Sequence, residues 1–269
     1  MLAHGLLCAA SVVMLYPVLW MFASSFRDNA EIFTAMSLIP ERFDFSAYIR
    51  GWHGLQVSFG VFFWNSLVIS VLAVIGNLLS CSLTAYAVTR LRFRGRDLCF
   101  AIMLGTMMIP YQVTLIPQYI LFLNLGWVNT ILPLVVPKFL ALDAFFIFLL
   151  AQFFRGIPRE LDEAAVVDGC TPWRIYWNIM LPLSLPALGT AAVFTFIFTW
   201  DDFFGPLVYL TDVESFTVQL GLRGFLDAGG TSDWAAMFAM AVLTLLPVLG
   251  FFLIFQRSLI QGIATTGLK

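Results

Sequence analysis

The sequence predicts an all-α membrane protein of six transmembrane helices with one strongly charged loop on the cytoplasmic side. Three observations carry this. Hydrophobic residues make up 61% of the 269-residue chain and charged residues only 11%, with a mean hydropathy of +0.91. Six apolar stretches approach the roughly 20 residues that a helix needs to cross a bilayer. The charges gather between those stretches, and most densely in one place. A net charge of -2 and a pI near 5.6 exclude a nucleic-acid partner, which requires a basic surface to displace counterions. Cys8, Cys81, Cys99 and Cys170 form no C-x-x-C pair and read as small apolar residues rather than a disulfide or metal set.

The first span covers about Gly5 to Phe26, too long for a signal peptide and without a basic leader. An outer loop, 27–59, mixes Arg27, Asp28, Glu31, Arg42, Asp44 and Arg50 with Phe43, Phe45, Tyr48 and Trp52, so its aromatic rings predict an ordered segment. The second span runs from about Phe62 to Val88. Its Asn65 and Asn77 are either interhelical hydrogen bonders or ligand contacts. Arg90, Arg92, Arg94 and Arg96 follow, and a basic cluster beside a span places this loop in the cytoplasm. The third span, about Leu98 to Phe122, contains Pro110 and Pro117 and is expected to kink inside the bundle.

Asn124, Gly126 and Asn129 mark a short outer turn. The fourth span, about Pro133 to Phe154, carries Lys138 and Asp143, charges that must face the bundle interior or water. They either pair and snorkel or line a substrate path. The fifth, Leu183 to about Phe203, ends in Trp200-Asp201-Asp202-Phe203-Phe204-Gly205-Pro206-Leu207. Paired acids beside aromatic rings suit a sugar, carboxylates accepting from hydroxyls and rings covering apolar faces. Capping a helix or ordering an outer loop explains them equally well. The second outer loop, 211–233, with Gly221, Gly224, Gly229 and Gly230, is expected to be flexible. The sixth span runs from Trp234, placed as an interface anchor, to about Phe255, and leads into the tail RSLIQGIATTGLK.

Between spans four and five lies a charged loop, 155–182, bearing Arg155, Arg159, Glu160, Asp162, Glu163, Asp168 and Arg174. Its local signals predict two short helices. Pro158 suits a first turn and Glu160, Asp162 and Glu163 an acidic helix start. Gly169 can end that helix in the left-handed conformation, Thr171 can cap a second with Pro172 at N1, and Leu181-Pro182 closes it. Leu161, Ala164 and Ala165 share one face. By composition alone the loop is either an amphipathic connector on the membrane surface or a docking element.

The spacing Glu163-Ala164-Ala165, Gly169, then Ile179-Met180-Leu181-Pro182 resembles the EAA loop of the membrane subunits of ABC importers. IPRELDEAAVVDG followed by W-x-I-x-W-x-I-x-LP-L-x-x-P-A-L is similar to the carbohydrate-uptake branch, and within it to the second membrane subunit of maltose-type systems. Asp201-Asp202 stands where that branch commonly has Asn-Glu. The resemblance implies the type I ABC importer transmembrane fold, in which this loop is a coupling helix fitting a cleft on an ATP-hydrolysing subunit. Glu163, Asp168 and Gly169 would position it, and Leu161, Ala164 and Ala165 would bury the contact. Asp143, Trp200, Asp201, Asp202 and Phe203 become candidates for the substrate path.

The implied partners are a homologous second permease subunit, an ATP-binding-cassette ATPase dimer touched also by the glycine-containing tail, and an extracytoplasmic solute-binding protein reached by the second outer loop. The implied setting is a bacterial or archaeal plasma membrane. Basic residues lie mostly on the coupling-loop side, which places both termini in the cytoplasm.

Catalytic chemistry is not expected. The chain has no G-x-x-x-x-G-K-[ST] loop, no H-E-x-x-H pair and no G-x-S-x-G pattern, so no cofactor or metal is implied and ATP hydrolysis belongs to another polypeptide. The competing reading is an ion-coupled secondary transporter driven through Lys138, Asp143, Asp201 and Asp202. That class is built on internal repeats, and none is visible here.

Overall fold

The computed structural model describes residues 2–34, 37–40, 42–226 and 232–266, with side chains from His4 to Gln256 among them. In chain order the helices are α1 (Leu2–Ser24), α2 (Asn29–Ile32), α3 (Ser46–His53), α4 (Phe59–Arg90), α5 (Arg96–Thr106), α6 (Tyr111–Asn124), α7 (Leu132–Phe139), α8 (Ala144–Gly156), α9 (Glu160–Val167) and α10 (Pro172–Ile175). A π-helical turn (Tyr176–Met180) then leads into α11 (Leu181–Leu183), followed by α12 (Leu185–Trp200), α13 (Phe204–Tyr209), α14 (Val218–Arg223) and α15 (Trp234–Thr266). The glycine-containing tail expected to touch a partner lies outside the described side chains, as do Gly229 and Gly230.

Among the described residues, four segments are long and apolar enough to span a membrane: His4–Ser24, Phe59–Arg90, Leu132–Gly156 and Trp234–Gln256. The other two expected spans are broken. α5 and α6 meet at 101° and the α10–α11 run meets α12 at 76°, so the count reaches six when each bent pair is one span. The third-span kink falls at Pro110, which has no N–H to continue α5 and sits extended (φ -61°, ψ 134°) before α6. Pro117, also expected to kink its span, lies inside α6. The second loop helix ends near Leu181-Pro182, as expected: α11 closes at Leu183, with Pro182 in its opening turn, where no N–H is needed. The turn comes at Ser184.

By internal contacts the chain forms two compact units, Met1–Ser66 with Thr211–Pro247, and Leu67–Leu210 with Val248–Lys269. In the first, the aromatic residues of 27–59 do pack: Phe26 meets Phe43, Phe45 and Tyr48 with ring centroids 5.2 to 5.5 Å apart. Ser25 and Tyr48 share a hydroxyl hydrogen bond of 2.8 Å. The second outer loop, expected to be flexible, is helical over α14, with Val218, Leu220 and Gly221 buried. Gly221 lies so close to the Phe62 ring that a Cβ there has no room. Asn65 donates to the carbonyls of Glu214 and Phe216 at 2.8 and 3.0 Å, and Ser66 Oγ accepts from the Val218 N–H at 2.9 Å. These bonds from α4 give the loop a fixed floor.

Arg50 pairs with Asp233 at 3.1 Å in the same unit. Partial burial pushes the Asp233 carboxyl up, but the Ala236 N–H and the Arg50 guanidinium outweigh it and hold the pKa below its ordinary 3.8.

The core of the second unit is built from Cys81 and Ala85 of α4, Phe146, Ile147, Leu150, Ala151 and Phe154 of α8, Tyr176 and Met180 of the π turn, and Ala187 and Ala191 of α12. Small residues on α12 let α8 approach closely, as membrane helix pairs require. Buried polar groups tie the helices: Asn77 donates to Thr195 at 2.7 Å, Ser82 and Tyr176 share a 2.7 Å bond, and the Tyr86 hydroxyl donates to the Pro172 carbonyl at 2.9 Å.

Asn77→Ala should lower stability by about 1 kcal/mol, typical of an interhelical bond in a membrane bundle, and a thermal melt in detergent measures it. Asp233 stabilises the fold above its unfolded pKa, a contribution lost as pH falls through the lower folded value. The melting-temperature gap between the wild type and Asp233→Asn should therefore be full at neutral pH and close as pH falls below 3.8.

Candidate functional site

Two places in the second unit concentrate polar chemistry. The first is a cavity of about 980 Å³ bordered by α5 to α8, α12 and α13. Broken helices surround it. The α5–α6 break contributes Met107 and Ile109, the α7–α8 break contributes Ala141, Leu142 and Asp143, and the bend after α12 contributes Asp202. Backbone without helical bonding at membrane depth is tolerated where it is buried in protein or lines a water-filled space, and the cavity supplies that space.

The α7–α8 break was not expected; the fourth span reads as unbroken in the sequence. Its geometry explains both of its charges. Lys138 lies in the last turn of α7, where a cation opposes the helix dipole, and Asp143 immediately precedes α8, where an anion does the same. Lys138 Nζ and Asp143 Oδ2 are 2.8 Å apart, so the pair staples the gap. The freed carbonyls find partners on α4: Ser80 Oγ donates to the Lys138 carbonyl at 2.7 Å, and the Cys81 thiol approaches that of Asp143 at 3.8 Å. Gly76 makes room, since a Cβ there would meet the Phe139 ring at 2.5 Å. The two charges are paired with each other, and the pair also lines the cavity.

Of the remaining path candidates only Asp202 faces the cavity, and its Oδ1 also accepts from the Gly205 N–H at 3.1 Å at the start of α13. Trp200 is buried, stacked on Phe196 with centroids 5.5 Å apart. Asp201 is exposed, Phe203 is half-buried beside Phe204, and neither lines the cavity. Side chains not singled out in the sequence complete the wall: Tyr111, Thr114 and Gln118 on α6, Thr195 on α12 and Tyr209 on α13. Tyr209 donates to Gln118 Oε1 at 3.4 Å and stacks on Tyr119. The available signal was Tyr111, Thr114 and Gln118 at i, i+3 and i+7, one face of an otherwise apolar helix.

The second place is α9. Glu160, Asp162 and Glu163 occupy its first turn and Gly169 follows at φ +76°, as expected. Thr171 Oγ1 accepts from the Arg174 N–H at 3.4 Å and Pro172 opens α10, also as expected. Leu161, Glu163, Ala164, Asp168 and Gly169 are exposed. Ala165 is not: it is 6% exposed and packed into the chain's own core. The apolar face open to a partner is therefore Leu161 with Ala164 and Val167, because Ala165 is the residue that seats α9 on the bundle.

Residues 76–265 match the family of binding-protein-dependent transport system inner membrane components. The chain is 30% identical to the diacetylchitobiose uptake system permease protein NgcG of Streptomyces coelicolor over 264 residues, covering 98% of this chain and 87% of that one. It is 31% identical to the trehalose/maltose transport system permease protein MalG of Thermococcus litoralis over 260 residues, covering 96% and 93%. Among solved structures, a chain of a bacterial ABC transporter involved in the import of the acidic polysaccharide alginate superposes with a TM-score of 0.82 at 26% identity, covering 95% of this chain and 94% of that one.

Removing the positive partner in Lys138→Met should destabilise the protein more than Lys138→Met with Asp143→Leu, because the single change strands a carboxylate at the helix gap. The interaction energy expected from a thermal-melt cycle is about 0.5 to 3 kcal/mol.

Proposed function

This chain belongs to the inner membrane components of binding-protein-dependent transport systems, and from that premise we propose that it forms half of the route taken by a sugar or related polyhydroxylated solute. As a permease of this class it works with a binding protein and with an ATPase on separate chains. The ATPase supplies the energy, which removes the need for the ion-coupled alternative.

The observation that carries the mechanism is α9: a short helix with an acidic start, an exposed Leu161–Ala164 face and a left-handed Gly169 end. We assign it to the cytoplasm, with both termini on that side, as the element gripped by the ATPase. Glu163, Asp168 and Gly169 set the angle of the docked loop, while Leu161 and Ala164 supply contact and Ala165 anchors it from behind. Closure of the ATPase pair would then move α9 and, through it, the helices around the cavity. A homologous second subunit would provide the facing half.

Sugar-class cargo is supported by two of the relatives, named for diacetylchitobiose and for trehalose/maltose transport, and by the cavity wall. Tyr111, Thr114, Gln118, Thr195, Asp202 and Tyr209 offer hydroxyl, amide and carboxylate partners. Lys138 is already neutralised by Asp143, so no free cation among the described lining residues favours a multiply anionic solute.

Gly169→Asp should leave the permease in the membrane but abolish solute-stimulated ATP hydrolysis, since φ +76° is strained for any side chain and the added charge faces the contact. Proteoliposomes containing the complete transporter measure this, and wild-type uptake would overturn the docking assignment. Asp202→Asn should reduce uptake by about 10-fold, the equivalent of one charge-assisted hydrogen bond, with basal ATP hydrolysis retained.

A further inference from the structure

We infer that Arg90 is the positioning residue that joins the docked helix to the transport helices. This rests on α9 being the element the ATPase grips. Arg90 is the last residue of α4, in a basic quartet whose sequence context suggests nothing beyond membrane orientation. Its side chain is only 4% exposed, however, whereas Arg92 and Arg94 are exposed and Arg96 pairs with its neighbour Asp97.

The guanidinium reaches three partners on two other elements. Nη1 donates to Asp162 Oδ2 in the first turn of α9 at 2.8 Å. Nη2 donates to the Phe154 carbonyl and, at 2.6 Å, to that of Ile157. Those two carbonyls belong to the end of α8 and the residue after it, where helical partners run out and a cation opposes the dipole. A planar fork with five donors fits such a junction, and an ammonium does not. One side chain thus closes α4, the C-terminal end of α8 and the start of α9 into a single joint.

α8 then connects the joint to the cavity. Its 13 residues span about 20 Å as a straight helix, with Asp143 on the cavity wall at one end and the Arg90 contacts at the other. Displacement of α9 is passed to α8 at a charged, largely dry contact rather than through the extended Ile157–Pro158 link.

The test uses the complete transporter in proteoliposomes, with solute molecules moved per ATP hydrolysed as the readout. Arg90→Ala and the isosteric Asp162→Asn should both retain the copurifying ATPase and basal hydrolysis. Their transport-to-hydrolysis ratio should fall at least about fivefold, the low end of ordinary coupling between linked sites. Arg90→Lys should recover only part of the ratio, and Arg90→Ala/Asp162→Asn should be no worse than Arg90→Ala alone. A wild-type ratio in Asp162→Asn overturns the proposal, as does loss of the ATPase from both variants, which would make the contact part of docking rather than transmission. If Arg90→Ala does not assemble, Asp162→Asn decides by the same ratio. Failure of the underlying docking assignment reads differently: Gly169→Asp would then transport normally, whatever the Arg90 variants do.

Discussion

Hydrocarbon offers no hydrogen-bond partner to a peptide group, and this requirement shapes the chain at every scale. Where helices run unbroken, the backbone satisfies itself. Where they break, a side chain from elsewhere must compensate, and the partners are visible. Ser80 of α4 meets the Lys138 carbonyl at the α7–α8 gap. The breaks around the cavity are the places where this chain can hold both water and fold.

The same economy governs charge. Lys138 and Asp143 sit at opposite helix ends and neutralise one another across the gap. Arg90 and Asp162 do so at the far end of α8, with two helix-end carbonyls in the bargain. α8 therefore has a paired charge at each end, one facing the cavity and one facing α9. For a permease driven by a separate ATPase this is a mechanical arrangement, with rigid helix between two electrostatic joints. Among the described residues, Asp202 is a cavity carboxylate with no ion pair at salt-bridge distance.

Local patterns were legible wherever a residue type has one conformational use. Gly169 adopts the left-handed end and Thr171 with Pro172 opens the next helix, because those choices depend on a few neighbouring residues. The packed aromatics of 27–59 were legible for a similar reason, since rings in that number require burial. Contacts between distant segments were not. Nothing local distinguishes Arg90 from Arg92 and Arg94, and nothing in Leu161-x-x-Ala164-Ala165 says that Ala165 turns inward. The α14 helix was obscured by its glycines, which suggest mobility until Gly221 is seen against the Phe62 ring.

By itself, then, the amino-acid order determined the apolar segments, the position of the acidic helix between spans and its termination, since hydropathy, helix dipoles and backbone steric limits act over one or two turns. Tertiary structure alone decided which distant charges pair, which face of α9 remains open and that the fourth span breaks beside a cavity. Those outcomes depend on which group 60 to 120 residues away, such as Asp162 for Arg90 or Thr195 for Asn77, is brought within hydrogen-bonding distance, and sequence spacing carries no record of that distance.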